Sequence, residues 1–188
     1  MESVQDWATF ADDVVLVRVL SEEKMAVSEE ERAAGESYIP RTITVEVRRT
    51  LWSQPAIDRA VPLTMTLEQG AWLFGRDRPE RRVLADLKGS WGQVGHDYVA
   101  AIAYSGFGPA ESAKKKWGVL TMLPADGGVV GNGEAIVGDA LTGSFVSAVK
   151  DAEVSNVTKV LAAASPYPKA VKVMDRDLSV RASSVNSE

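Results

Sequence analysis

The sequence predicts a mostly β fold: a small barrel of five or more antiparallel strands, followed by short α-helices. Three observations carry this. The first two-thirds of the chain is a series of short β-branched or alternating runs separated by turn residues. Gly, Pro, Asn and Asp punctuate those runs. After Gly138 the apolar spacing switches from a period of two to a helical period.

Taken in order, Trp7 to Asp13 reads as a short helical lead-in, and Val14 to Leu20 as a buried strand with Val15, Val17 and Val19 on one face. Ser21 to Pro40 carries Glu22, Glu23, Glu29, Glu30, Glu31 and Glu36, and reads as a long solvated loop with one helical turn around Ser28 to Ala34. Thr42 to Leu51 alternates cleanly. Ile43, Val45 and Val47 point one way, and Thr42, Thr44, Glu46 and Arg48 the other. Val61 to Leu67 alternates again, with Val61, Leu63, Met65 and Leu67 expected inward and Pro62 marking the strand's start.

Gly70 to Phe74 is expected as a short edge strand, and Gly75 to Ser90 as a charged loop. Asp97 to Tyr104 is apolar on both faces, as a central strand is, and its alanines imply close packing. Trp117 to Leu123 is another apolar strand, stopped by Pro124. Gly131-Asn132-Gly133 signals a hairpin between Val129-Val130 and Ala135 to Val137. A core of Val15, Val17, Val45, Val47, Leu63, Met65, Ile102 and Leu120 follows.

Phe145, Ala148, Val149 and Ala152 fall on one helical stripe, and Val157, Val160, Leu161 and Ala164 on a second that is out of phase with it. Two short helices satisfy this better than one straight one. Ser155 is the expected N-cap of the second, and Pro166 and Pro168 stop it. The helices are expected to cover an open end or a sheet edge, the rival idea being a detachable arm. Lys169 to Met174 reads as a stray strand, and Asp175 to Glu188 as a polar, frayed end. The expected organisation is a barrel domain over 1–138, a helical segment packed on it over 139–168, and a flexible tail over 169–188.

Composition excludes several chemistries. The 188 residues include no cysteine, so disulfides, thiol nucleophiles and Cys-ligated metals are absent, and a chain of this length buries its apolar surface without such staples. The net charge of −5 argues against a nucleic-acid-binding domain. No apolar run is long enough to span a membrane. The N-terminus has neither the basic start nor the apolar core of a signal peptide. The chain is expected to be soluble, either cytoplasmic or secreted with its signal removed.

His96 is the only histidine. Its neighbour Asp97 faces the other side of a strand, and no Gly-x-Ser-x-Gly elbow occurs, so His96 reads as a turn residue and no catalytic residue is assigned. Asp126, Asn132, Glu134 and Asp139 offer oxygens but lack the spacing of a calcium loop; a hairpin turn explains them, and no metal or cofactor is assigned. Lys114-Lys115-Lys116 and the run Arg76 to Arg82 are local basic clusters flanked by Trp72, Phe74, Trp91 and Trp117. The candidate contact residues for a protein or small ligand are Trp72, Phe74, Arg76, Arg78, Arg81, Arg82 and Trp91, on the reasoning that aromatics beside arginines make stacking and ion-pairing surfaces.

Three segments together resemble a known group. They are Ala11-Asp12-Asp13-Val14-Val15-Leu16-Val17-Arg18-Val19, Thr44 to Trp52, and Val94-Gly95-His96-Asp97-Tyr98-Val99-Ala100-Ala101-Ile102. In that order they resemble the barrel domains related to tissue inhibitors of metalloproteinases and netrin modules, and are most similar to cysteine-free bacterial versions. The resemblance spans roughly residues 10 to 125. It implies a five-stranded, partly open barrel of the oligonucleotide/oligosaccharide-binding type and a binding role. It transfers no active-site residue, because those inhibitors act through an N-terminal cysteine and this chain has none. Two functions follow as expectations: a non-enzymatic binding or structural module, or a carboxylate-based, glycosidase-like hydrolase.

Overall fold

A computed structural model describes residues 1, 3–34, 36–75, 78–83, 91–106, 115–133 and 143–186, with backbone alone for a few of these. Six antiparallel strands form one sheet in the order β4-β3-β2-β1-β5-β6. They are β1 (Asp13–Lys24), β2 (Glu36–Ser53), β3 (Thr64–Gly75), β4 (Arg78–Val83), β5 (Asp97–Gly106) and β6 (Lys115–Pro124). Helix α1 (Val4–Phe10) precedes them, α2 (Glu29–Ala34) sits between β1 and β2, and α3 (Ser144–Val149), α4 (Ser155–Ala162) and α5 (Leu178–Asn186) follow.

The sheet curls on itself. Val15, Val17 and Val19 of β1 meet Ile43 and Val45 of β2, Met65 and Leu67 of β3, Tyr98, Ala100 and Ile102 of β5, and Val119 and Met122 of β6. On β1, β2, β3 and β5 these side chains come from alternate positions, so the pleat puts them on the inner face, and a bulge in the β5–β6 pairing brings Val119 and Met122 to the same face. Curling brings β3 beside β6. Among the described residues that seam is bridged by side chains: Lys116 Nζ to Glu68 Oε1 at 2.5 Å, and Gln69 Nε2 to Met122 Sδ at 3.2 Å. No backbone ladder between described residues joins the two strands. Bulges between Val14/Val15, Leu16/Val17 and Val19/Ser21 help β1 and β2 bend.

The outer face of β1, β5 and β6 is apolar too. Val14, Val99, Ala101 and Leu123 pack there with Leu51, under Trp7 of α1, Phe145, Val146 and Val149 of α3, and Val157 and Leu161 of α4. Trp7 and Phe145 stack with ring centroids 4.0 Å apart. The two expected helices are thus present, and their stripe covers a sheet face rather than an open end or an edge. Neither is long enough to persist alone in water, so the apolar face is what folds them.

The structure corrects several sequence expectations. The acidic segment Ser21 to Pro40 is strand at both ends, β1 running on to Lys24, which pairs with Arg41, and β2 starting at Glu36; the expected helical turn is present as α2. Gly70 to Phe74 continues β3 instead of forming a separate strand, and the charged loop at Gly75 to Ser90 contains β4. Leu63 is 80% exposed. Regular strand structure begins only at Thr64, so the parity of β3 does not extend back through Pro62. Val61 still reaches the inner cluster and Leu63 does not. Val47 and Leu120 are half-buried, and Leu120 packs on the outer, helical side. The N-cap of α4 is Val154, with Ser155 inside the helix. Residues 171–173 form a 3₁₀ turn where a strand was expected, and the segment expected to fray holds α5. The expected strand at Ala135 to Val137 lies outside the described residues. Val129 instead bridges to Glu153.

Ile102 and Leu63 test this placement as a pair. Ile102→Ala removes atoms from the inner cluster and should lower the unfolding free energy by about 2–5 kcal/mol. Leu63→Ala should change it by no more than about 0.5 kcal/mol. Urea denaturation of both variants is the check, and equal losses would contradict the assigned strand start.

Candidate functional site

Beyond the inner cluster, β2 and β3 continue as a ribbon that carries a second, smaller core. Ile39 of β2 lies opposite Trp72 of β3. Trp91 closes on them edge-to-face, its ring centroid 5.1 Å from that of Trp72. Arg41 sits beneath, fully buried, with its guanidinium 4.2 Å from the Trp91 ring. A buried cation must be paired and hydrogen-bonded to be tolerated. Arg41 Nε donates to Glu22 Oε2 at 2.8 Å, Nη1 to Gln69 Oε1 at 2.9 Å, and Nη2 to the Gly92 carbonyl. Gln69 Oε1 also accepts the Gly92 N–H at 2.9 Å. A Cβ at Gly92 would come within 3.1 Å of that oxygen and 3.3 Å of Met122 and Val19, so the absent side chain lets this loop press onto the sheet. Lys24 Nζ lies 4.5 Å above the Trp72 ring from the outside.

This core locates the sequence-predicted contact residues. Trp72 and Trp91 are brought together, but they are 8% and 1% exposed. They root the ribbon and do not offer a stacking platform. Phe74 lies opposite Ser37 in register. Arg78, Arg81 and Arg82 lie opposite Gly75, Leu73 and Trp72, on β4, which among the described residues pairs with β3 alone. Arg76 is outside the described residues. Three of the candidate arginines therefore share β4, beside the strand that carries Trp72.

A second cluster forms where β5 begins. Gly95, with φ of +87°, turns the chain so that its N–H donates to Val19 O at 2.8 Å, and Val19 N–H returns to His96 O at 3.1 Å. His96 Nδ1 lies 2.6 Å from Asp126 Oδ2, and Asp126 Oδ1 accepts the Asp97 N–H at 2.8 Å. Asp97 turns away from His96, as strand alternation requires, and takes a bidentate bond from Arg18 at 2.8 and 3.0 Å. The sequence alone offers no partner for His96. The signal lay in the β5–β6 register, in which Tyr98 faces Pro124; two more residues in the same register bring Asp126 opposite His96. Partial burial pushes the Asp126 carboxyl up. The Asp97 N–H, the His96 hydrogen bond and charge, and Arg18 outweigh it and hold the group below its ordinary value.

Of the other oxygen donors considered for a cation, Asn132 donates its side-chain amide to Asp126 O at 2.9 Å, and Glu134 and Asp139 lie outside the described residues. A third polar group is centred on the buried Asp12 and Asp13. Asp12 pairs with Arg181 and with Arg59 Nη1 at 3.3 Å, and Asp13 Oδ1 accepts from Ser53 Oγ at 2.6 Å. Burial, followed by the charge of Asp12, raises the Asp13 carboxyl, with Ser53 and Arg59 opposing.

No protein-family model, curated protein or solved structure matches this chain.

The Asp126 site generates a pH prediction. Its carboxyl titrates lower in the folded chain than in the unfolded one. The stabilisation it lends is therefore fully present above the unfolded value of about 3.9 and is lost as pH falls through that value and then through the folded one. Urea midpoints measured from pH 6 downwards should fall less steeply for Asp126→Asn than for the wild type. Parallel curves would contradict the assignment.

Proposed function

We propose that the chain is a non-enzymatic binding module that presents the arginine-bearing strand β4 to an anionic ligand or an acidic protein surface. The observation that carries this reading is the position of Arg78, Arg81 and Arg82 on a terminal strand, backed by a ribbon whose own small core fixes it to the curled sheet. Pro79 and the arginines make this edge a poor template for another strand, since proline lacks the donor and like charges repel. Contact through side chains is what such an edge retains. The order β3-β2-β1-β5-β6, with β3 drawn beside β6, has the connectivity of a five-stranded Greek-key barrel. It supports the likeness to the oligonucleotide/oligosaccharide-binding type and to the inhibitor- and netrin-related barrels.

The hydrolase reading draws less support. It requires two convergent carboxylates with separate roles. The carboxylates that come together among the described residues are each engaged by a basic side chain or a hydroxyl: Asp12 by Arg181 and Arg59, Asp13 by Ser53, Asp97 by Arg18, and Asp126 by His96.

A chain with net charge −5 binds a polyanion only through a local positive surface. The wild type should be retained on immobilised heparin, used as a sulfated polyanion probe, and released by salt. Arg78→Gln/Arg81→Gln/Arg82→Gln should elute at clearly lower salt while keeping its thermal midpoint. Identical elution of the two proteins would refute the assigned surface.

A further inference from the structure

The junction between α1 and β1 is built around a cation. Arg181 Nη1 donates to the Thr9 carbonyl at 3.1 Å and to the Ala11 carbonyl at 3.4 Å, and Nη2 pairs with Asp12 Oδ1. Both charged side chains are 1% exposed. Three acceptors from one four-residue segment thus converge on a single guanidinium, a planar fork that a point-charge ammonium cannot match.

Those acceptors are held in place by elements other than α5. The Asp12 N–H donates to Ile102 O at 2.8 Å, and the Asp12 carbonyl accepts from Gln54 N at 2.8 Å. Asp12 Oδ2 accepts from the Tyr104 N–H at 2.9 Å and from Arg59. The Ala11 N–H caps α1 on Trp7 O, and Thr9 Oγ1 accepts from Tyr167 N at 2.9 Å. The corner is therefore preorganised without α5, and Asp12 keeps a cationic neighbour if Arg181 leaves.

In helix α5, in contrast, the apolar Leu178 and Val185 are only half-buried. Arg181 is its only buried side chain, and Val180 is exposed. Its start is tied by an exposed pair, Lys115 Nζ to Asp177 Oδ1 at 2.9 Å, which salt screens. Arg181 Nε is buried with no hydrogen-bond partner among the described residues, a cost borne by the closed arrangement. Helices α3 and α4 are fixed by Phe145, Val149, Val157 and Leu161 and have no such weakness.

The geometry points to a guanidinium-binding site at Thr9 to Asp12, occupied in the resting chain by Arg181 as an internal ligand, which takes the arginine side chain of a partner peptide when α5 lifts. This site is separate from the arginine strand β4 and calls for a partner group of opposite charge.

The test uses the full chain with N-acetylarginine amide as probe and N-acetyllysine amide at equal ionic strength as control. In the wild type, the arginine probe should accelerate amide hydrogen exchange across residues 178–186 and leave β1 and β5 unchanged. Arg181→Ala should melt lower than the wild type. The arginine probe should raise that midpoint in proportion to the logarithm of its concentration, and should fail to do so in Arg181→Ala/Asp12→Asn. If the variants do not fold, the wild-type exchange measurement decides alone. Unchanged exchange in α5, or equal effects of the two probes, would overturn the assignment.

Discussion

Strand β1 is apolar on both faces, and both must be covered. Val15, Val17 and Val19 face the interior of the curled sheet, while Val14 and Leu16 face the helices. From Asp13 to Arg18, β1 is paired with β2 on one side and β5 on the other. The inner set can be buried only if the sheet closes over it, which draws β3 toward β6. The outer set can be buried only by α1, α3 and α4. Curl and helical layer thus answer one constraint, and a chain without cysteine or metal-binding cysteines meets it by apolar burial alone.

Among the described residues, two guanidinium groups are buried in this interior. Arg41 is stacked on Trp91 and clasped by Glu22, Gln69 and Gly92 at one end of the inner cluster. Arg181 is clasped by Thr9, Ala11 and Asp12 near the other strand ends. The two differ in what surrounds them. Arg41 belongs to a strand and sits beneath tryptophans, so it makes the ribbon rigid. Arg181 stands alone on a helix with no other buried side chain. A rigid ribbon suits the display of a charged edge, and a singly anchored helix suits exchange.

The sequence was readable wherever burial imposes a period. Ile43, Val45 and Val47 announced β2, the two-sided apolar run at Tyr98 to Ile102 announced a central strand, and the phase change between Val149 and Val157 announced two helices. Elements held by polar contacts left no such trace. The outer half of the β1–β2 ribbon is solvated on most of its surface, so Glu22 and Glu23 read as loop. Strand β4 is an edge, and the Pro79 and arginines that protect an edge also hide it. Helix α5 lacked a stripe because Arg181 does the work of one. His96 and Asp126 are joined by the β5–β6 register, which single residues do not reveal. Of the candidate contact residues, Trp72 and Trp91 were legible as aromatics that flank the basic run. Their burial was not, because it depends on Arg41 and Ile39 arriving from another strand.

Strand β1 couples the inner cluster to the helical layer, so that the two unfold together. Native-state amide hydrogen exchange on the full chain measures this directly. The amides of β1 from Val15 to Val19 and those in the last turns of α3 and α4 should exchange through one opening reaction, with the same free energy and the same dependence on denaturant. Exchange of α3 and α4 at a much lower free energy than β1, with β1 still protected, would show the helices to be a separable arm and would contradict the account.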